Sequence, residues 1–121
     1  MYTLSWYLPR GLQLTITDDY TLEDVNTVNE QINEELDDAK SNLLLLIDVS
    51  KMNRPYNFTV IRDRQTFKDH HNLQHIYVVA SDNIIKLAMM VIFHLSRAQL
   101  SLVTDMDNAT RLITKHLDHS K

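Results

Sequence analysis

Leu43-Leu44-Leu45-Leu46-Ile47-Asp48-Val49-Ser50 is the stretch on which the fold turns. Five consecutive apolar residues leave no polar face for water. An extended segment here has to be covered on both sides, as a central strand of a parallel sheet is. A second run, Ile76 to Ala80, has the same character, and Leu100 to Val103 reads as a short strand. The segments between them repeat their apolar residues every three or four positions, which is the helical period. Strands alternating with helices imply right-handed crossovers and a mainly parallel sheet.

Upstream, Tyr2, Leu4, Trp6 and Leu8 alternate with Thr3, Ser5 and Tyr7, and Leu12, Leu14 and Ile16 alternate with Gln13, Thr15 and Thr17. Period two means strands with one buried face. Pro9-Arg10-Gly11 between them reads as a hairpin turn. Thr21 opens a helix with Asp24 three residues on, a weak capping box. Leu22, Val25, Val28, Ile32, Leu36 and Ala39 form its apolar stripe. A loop at residues 53–57 precedes a second helix around Val60, Ile61 and Phe67, ending near His71. Ser81 or Asp82 caps a third helix, Asn83 to Arg97. Thr104 or Asp105 caps a fourth, with Ala109, Leu112, Ile113, His116 and Leu117 on one face. The expectation is an α/β fold of one domain, residues 1–121. It has a mixed, mainly parallel sheet of about five strands with four helices, in the order β-β-α-β-α-β-α-β-α.

Composition removes several function classes. The 121 residues contain no cysteine, which excludes disulfides, thiolate metal sites and a cysteine nucleophile. The single glycine, Gly11, excludes a Walker loop and a glycine-rich dinucleotide turn. Sixteen acids against twelve bases, a net charge of −4, argue against a nucleic-acid binder. No signal peptide is evident, and the apolar run Ile84 to Leu95 is too short to span a bilayer. A cytoplasmic protein is expected. Charge is also uneven: residues 21–40 hold seven acids and one base, and residues 51–68 five bases and one acid. These are two solvated helix faces or a pair of faces that steer a partner.

The hairpin, Thr21-Leu22-Glu23-Asp24 opening an acidic helix, the strand ending Leu46-Ile47-Asp48-Val49-Ser50, the stretch His75-Ile76-Tyr77-Val78-Val79-Ala80-Ser81-Asp82 and a last helix with Asn108-Ala109 and Leu112 together resemble a STAS-like domain. This is the SpoIIAA-like fold of anti-sigma-factor antagonists and of many small stand-alone bacterial proteins. The resemblance implies a non-enzymatic protein that acts by binding a partner. In the family's regulatory members a serine or threonine opening the second helix, usually within Asp-Ser-Ser-Gly, is phosphorylated. Here Asn53-Arg54-Pro55-Tyr56-Asn57-Phe58 stands in that place, with neither serine nor glycine, so the switch is not carried over. Thr59 and Ser50 are the nearest hydroxyls.

Ligands of open α/β sheets settle outside the carboxyl ends of the strands. Asp48 with Ser50, Ser81 with Asp82, and Thr104 with Asp105 lie at such ends, with Arg54 and Tyr56 on the adjoining loop. They form a small polar site or are helix caps alone. A receiver domain would need a lysine at the end of a late strand, and Leu102-Val103-Thr104-Asp105 has none. His70, His71 and His75 cluster in sequence, and His116 and His119 are three apart; surface positions near helix ends explain them better than metal ligation. A hydrolase would use Asp48, Ser50 and a histidine of the 70–75 cluster, without a nucleophile elbow.

The third helix is apolar nearly all round. Taking Ile84, Leu87, Ala88, Val91, Ile92 and Leu95 as its core stripe leaves Met90 and Phe93 outward, Met89 on the flank, and Lys86 and Arg97 beside them. Met89, Met90, Phe93, Lys86 and Arg97 are therefore the candidate surface for a protein partner or a homodimer. Asp48, Ser50, Arg54 and Tyr56 are the second candidate surface. No catalytic residue, metal or cofactor is assigned. The competing class is a small apolar-ligand or nucleotide binder, which requires a closed cavity of a few hundred cubic ångströms.

Overall fold

A computed structural model of the protein describes residues 2–8, 10–17, 20–52, 58–93 and 96–119, with the side chains of residues 8, 58–60 and 117–119 left aside. The alternating N-terminal residues form two antiparallel strands, β1 (Tyr2–Leu8) and β2 (Gly11–Ile16). Tyr2 lies opposite Ile16, Leu4 opposite Leu14 and Trp6 opposite Leu12, so these six share one face. From β2 the sheet continues in parallel through β3 (Leu43–Asp48), β4 (Leu73–Val79) and β5 (Gln99–Val103). Order in space equals order in the chain, β1-β2-β3-β4-β5.

Helix α1 (Leu22–Asp38) links β2 to β3, and α2 (Phe58–Arg64) with a 3-10 turn (Phe67–Asp69) links β3 to β4. Helix α3 (Asn83–Phe93) links β4 to β5, and α4 (Met106–His119) follows β5. Each crossover steps one strand in the same direction. Right-handedness therefore places α1, α2 and α3 on one face of the sheet. There Leu14, Leu45, Ile47, Ile76 and Val78 pack against Val28, Ile32, Ile61 and Ile92. Alternation sends Leu44, Leu46, Tyr77 and Val79 to the opposite face, where α4 meets them with Ala109 and Ile113. All six residues of β3 are buried, as the apolar run requires. The α/β class, the five mixed strands, the four helices and their order match the expectation. Among the described residues no helix is long and apolar enough to cross a membrane.

The α1 cap is also as read. Asp24 N donates to Thr21 Oγ1 at 3.1 Å and Thr21 N to Asp24 Oδ2 at 3.1 Å, a reciprocal capping box. Its buried stripe is Val25, Val28, Ile32 and Leu36, while Leu22 is exposed in the first turn.

Three expectations are corrected. The second helix does not run on to His71. Asn29 Oδ1 on α1 accepts from Thr66 N at 2.8 Å and Phe67 N at 3.2 Å, so these donors are taken from a continuing helix and the chain turns. Leu112 on α4 is exposed; Ala109 and Ile113 are the buried residues beneath it, with Met106 packed beside them. The face of α3 is also turned: Ala88 and Ile92 are buried and Met90 exposed as expected, but Ile84, Leu87 and Val91 have changed places with Met89 and Phe93. Its core side is Ile85, Ala88, Met89, Ile92 and Phe93, while Ile84, Leu87, Met90 and Val91 point to solvent. In a helix apolar all round, two stripes have equal claim by periodicity. Packing chooses between them: the Phe93 ring meets Phe67, centroids 6.3 Å apart, below α2.

Asn29 carries more than one contact between α1 and the 3-10 turn, since Asn29 Nδ2 also donates to Thr66 Oγ1 at 3.2 Å. Asn29→Ala is expected to destabilise the protein by about 1–3 kcal/mol, because two backbone donors lose their acceptor. The midpoint of urea unfolding measures this.

Candidate functional site

The carboxyl ends of β3, β4 and β5 lie side by side, joined beyond the ladder by Val49 N to Val79 O and Ala80 N to Val103 O, both 3.0 Å. The three acids there are already engaged. Asp48 Oδ1 accepts from Ser50 N at 2.9 Å and from Ser50 Oγ at 2.6 Å, an Asx turn closed on itself. Asp82 caps α3 by accepting from Ile84 N at 2.8 Å and Ile85 N at 3.1 Å. Asp105 caps α4 through Asn108 N at 2.8 Å. Capping explains both acids. Arg54 and Tyr56, the loop part of that candidate surface, lie outside the described residues, as does the side chain of Thr59. Ser50 is held by Asp48 and by no histidine among the described residues, so the hydrolase arrangement is not formed.

The candidate association surface on α3 divides. Met89 and Phe93 are 5% and 3% exposed and belong to the core, which corrects their placement on an outer face. Met90 is exposed, as expected. Lys86 is half-buried and Arg97 exposed. Two residues assigned to the core, Ile84 and Leu87, are the most exposed large apolar side chains of the helix, at 64% and 63%. Sequence reasoning missed them for the reason given above.

A buried polar cluster was also missed. On the α4 face of the sheet, His75 Nε2 and Ser101 Oγ are hydrogen-bonded at 2.7 Å. Tyr77 Oη and His116 Nδ1 are 3.0 Å apart, and Tyr7 Oη is bonded to Thr110 Oγ1. The His75 ring stacks on Tyr77 with centroids 4.2 Å apart and meets His116 edge-on at 5.6 Å. His75 is nine-tenths buried, and its Nδ1 has no hydrogen-bond partner among the described residues. Loss of hydration, and secondly the neighbouring His116, hold the His75 pKa below its ordinary value. Burial pushes the Tyr77 phenol up. A serine paired to a histidine is part of a nucleophilic dyad, but no third group orients this imidazole. The cluster fastens α4 to the sheet. His75 and His116 are far apart in the chain, and each has nearer histidines to be grouped with. The signal was alternation: His75, Tyr77 and Val79 fall on one face of β4, opposite Ile76 and Val78.

His70 belongs elsewhere. Its Nδ1 accepts from Asn72 N at 3.1 Å, so the proton of the neutral ring sits on Nε2, 2.7 Å from Asp37 Oδ1. Among the described residues no group of three histidines and acids is placed to hold a metal ion. Between α2, α3 and the sheet, residues including Leu14, Ile47, Met52, Ile61 and Gln65 enclose a cavity of about 20 Å³. That is room for roughly one water. An apolar ligand needs roughly 300 Å³ or more.

No protein-family profile matches the chain, and no curated protein matches it. A solved structure does. An uncharacterized protein of the DUF3478 family with a SpoIIAA-like fold, from Shewanella loihica PV-4, superposes with a TM-score of 0.68. The match covers 93% of this chain and 91% of that one at 12% identity. At that identity the likeness shows the fold: the chain is SpoIIAA-like in architecture.

His75 makes stability depend on pH. Unfolded, its imidazole takes a proton at the ordinary value near 6.5; folded, it takes one only at lower pH. The unfolded chain therefore binds more protons in that window, and stability falls as pH drops through it. His75→Gln keeps a partner for Ser101 and cannot titrate. Urea unfolding between about pH 7.5 and 5.5 is expected to show a smaller loss in the variant than in the wild type.

Proposed function

We propose that the protein is a non-catalytic binding module that works through protein–protein contacts, with the outer face of α3 as its contact surface. One observation carries the reading: Ile84, Leu87, Met90 and Val91 are all exposed on a helix of eleven residues. Burying an aliphatic side chain of this size is worth roughly 1.5–3 kcal/mol, so a partner covering four of them gains several. Met90 adds an adaptable contact, and Lys86 and Arg97 supply a polar rim. The simplest occupant is a second copy, because one helix face meeting itself about a two-fold axis forms a closed dimer.

Other features support a binding role. The strand-end acids are used as caps and turns, and the Ser101–His75 pair lacks an orienting group. The apolar-ligand reading is weakened by a cavity of about 20 Å³. Related domains meet partners around the loop after the third strand. Asp48 and Ser50, together with Arg54 and Tyr56 of the following loop, which lie outside the described residues, are the secondary surface of this proposal.

Light scattering tests it. The wild type is expected to gain mass with concentration, and Met90→Asp and Leu87→Asp are expected to remain monomeric. Both positions are exposed, so folding stability should change by no more than about 0.5 kcal/mol. Phe93→Ala, in the core, is expected to lose about 3–5 kcal/mol by thermal or urea unfolding. A wild type that stays monomeric at every concentration, with both variants unchanged, sinks the self-associating form.

A further inference from the structure

The second face of interest lies across the molecule from the residues of α3. β1 is an edge strand, paired with β2 alone among the described residues. Natural edge strands are guarded against pairing by lysine, proline or inward charge. β1 carries none of these over Tyr2-Thr3-Leu4-Ser5-Trp6-Tyr7-Leu8, seven residues without a charge, and the register shift between Trp6 and Leu8 leaves Tyr2 to Trp6 as its regular stretch. Between β1 and the second half of α1 runs an open groove of about 310 Å³. Leu4, Trp6 and Leu12 form its floor, and Gln31, Glu34 and Glu35 its wall. Trp6 pairs with buried Leu12, so it faces the α1 side, yet it is 52% exposed. Tyr2 Oη donates to Gln31 Oε1 at 3.4 Å, while neither Glu34 nor Glu35 has an ion-pair partner among the described residues.

We infer that this groove takes an extended, lysine- or arginine-bearing segment of a partner protein, paired as a sixth strand on the free edge of β1. Side chains of an added strand alternate between the two faces of the sheet. Those on the α1 side enter the groove. A lysine or arginine there lays its apolar stem and its charge against Trp6 and Leu4 and reaches the carboxylates of Glu34 and Glu35. Charge selects the occupant. A second copy pairing β1 to β1 would set two acidic α1 helices beside each other on the same face, where seven acids against one base in residues 21–40 repel their like. The same charge attracts a basic strand. This surface is separate from α3 and does not depend on the function proposed above.

Trp6 is the protein's one tryptophan, so its fluorescence reports on the groove directly. The probe is a peptide of about seven residues alternating lysine with valine, long enough to pair along β1. Saturable change in Trp6 emission is expected, weakened by salt, with affinity lowered about tenfold or more by Glu34→Gln with Glu35→Gln. The same peptide N-methylated at alternate amides should not bind, and Met90→Asp should bind as the wild type does. Both glutamates are on the solvated wall, and far-UV circular dichroism confirms that the double variant folds. No emission change, an equal response to a glutamate–valine peptide, or full affinity in the double variant would overturn the inference. So would equal binding of the N-methylated peptide or of spermine, which would mean a small-cation site. Emission that changes with protein concentration alone would mean β1–β1 pairing and would overturn it as well.

Discussion

Strand β3 has water on neither face, and the rest of the molecule is arranged around that fact. Leu43, Leu45 and Ile47 look one way, Leu44 and Leu46 the other, and all are buried. Helices on one side alone would leave half of the strand exposed. The crossover helices α1, α2 and α3 can cover only one face, because right-handed connections that step steadily along a sheet stay on one side. Closure of the second face falls to α4, which comes after the last strand and is free of that rule.

The two layers are joined to the sheet differently. The α1–α3 side is a broad apolar core with Asn29 tying the 3-10 turn to α1. The α4 side is narrower, with Ala109 and Ile113 as its apolar anchors. Tyr7, Tyr77, His75, Ser101, Thr110 and His116 supply hydrogen bonds beneath and beside the helix. A buried polar network of this kind holds one arrangement when satisfied and makes an unpaired atom costly. The His75 imidazole, whose Nδ1 has no partner among the described residues, is held below its ordinary pKa by burial and by His116.

Surfaces left over by the fold are where binding is sought. The acids at the strand ends, Asp48, Asp82 and Asp105, are engaged in a turn and in two helix caps. Among the described residues the apolar side chains left exposed include the outer face of α3, Trp6 on the edge strand beside acidic α1, Leu22 and Leu112. These follow from a chain whose helices and strands carry more apolar residues than one five-stranded sheet can cover.

Period and punctuation carry most of the architecture. The run Leu43 to Ile47, the alternation of β1 and β2, and the box of Thr21 and Asp24 are local patterns, and local patterns survive into the structure because each is satisfied within a strand, a hairpin or one helical turn. Element order follows from them; the SpoIIAA-like topology was expected from the resemblance, and the strand order in space is given by the structure. Three features could not be settled that way: the face that α3 turns inward, the break between α2 and the 3-10 turn, and the meeting of His75 with His116. Each depends on a partner distant in the chain: Phe67 for Phe93, Asn29 for Thr66, and α4 folded back over β4. An all-apolar helix has no preferred side until something packs against it, and two histidines far apart in sequence become neighbours only when β4 and α4 are laid together. The amino-acid sequence by itself determined the elements and their order, because these are written in short-range period. The tertiary structure alone decided which side chains are left in water, because exposure is the remainder after every long-range contact has been made.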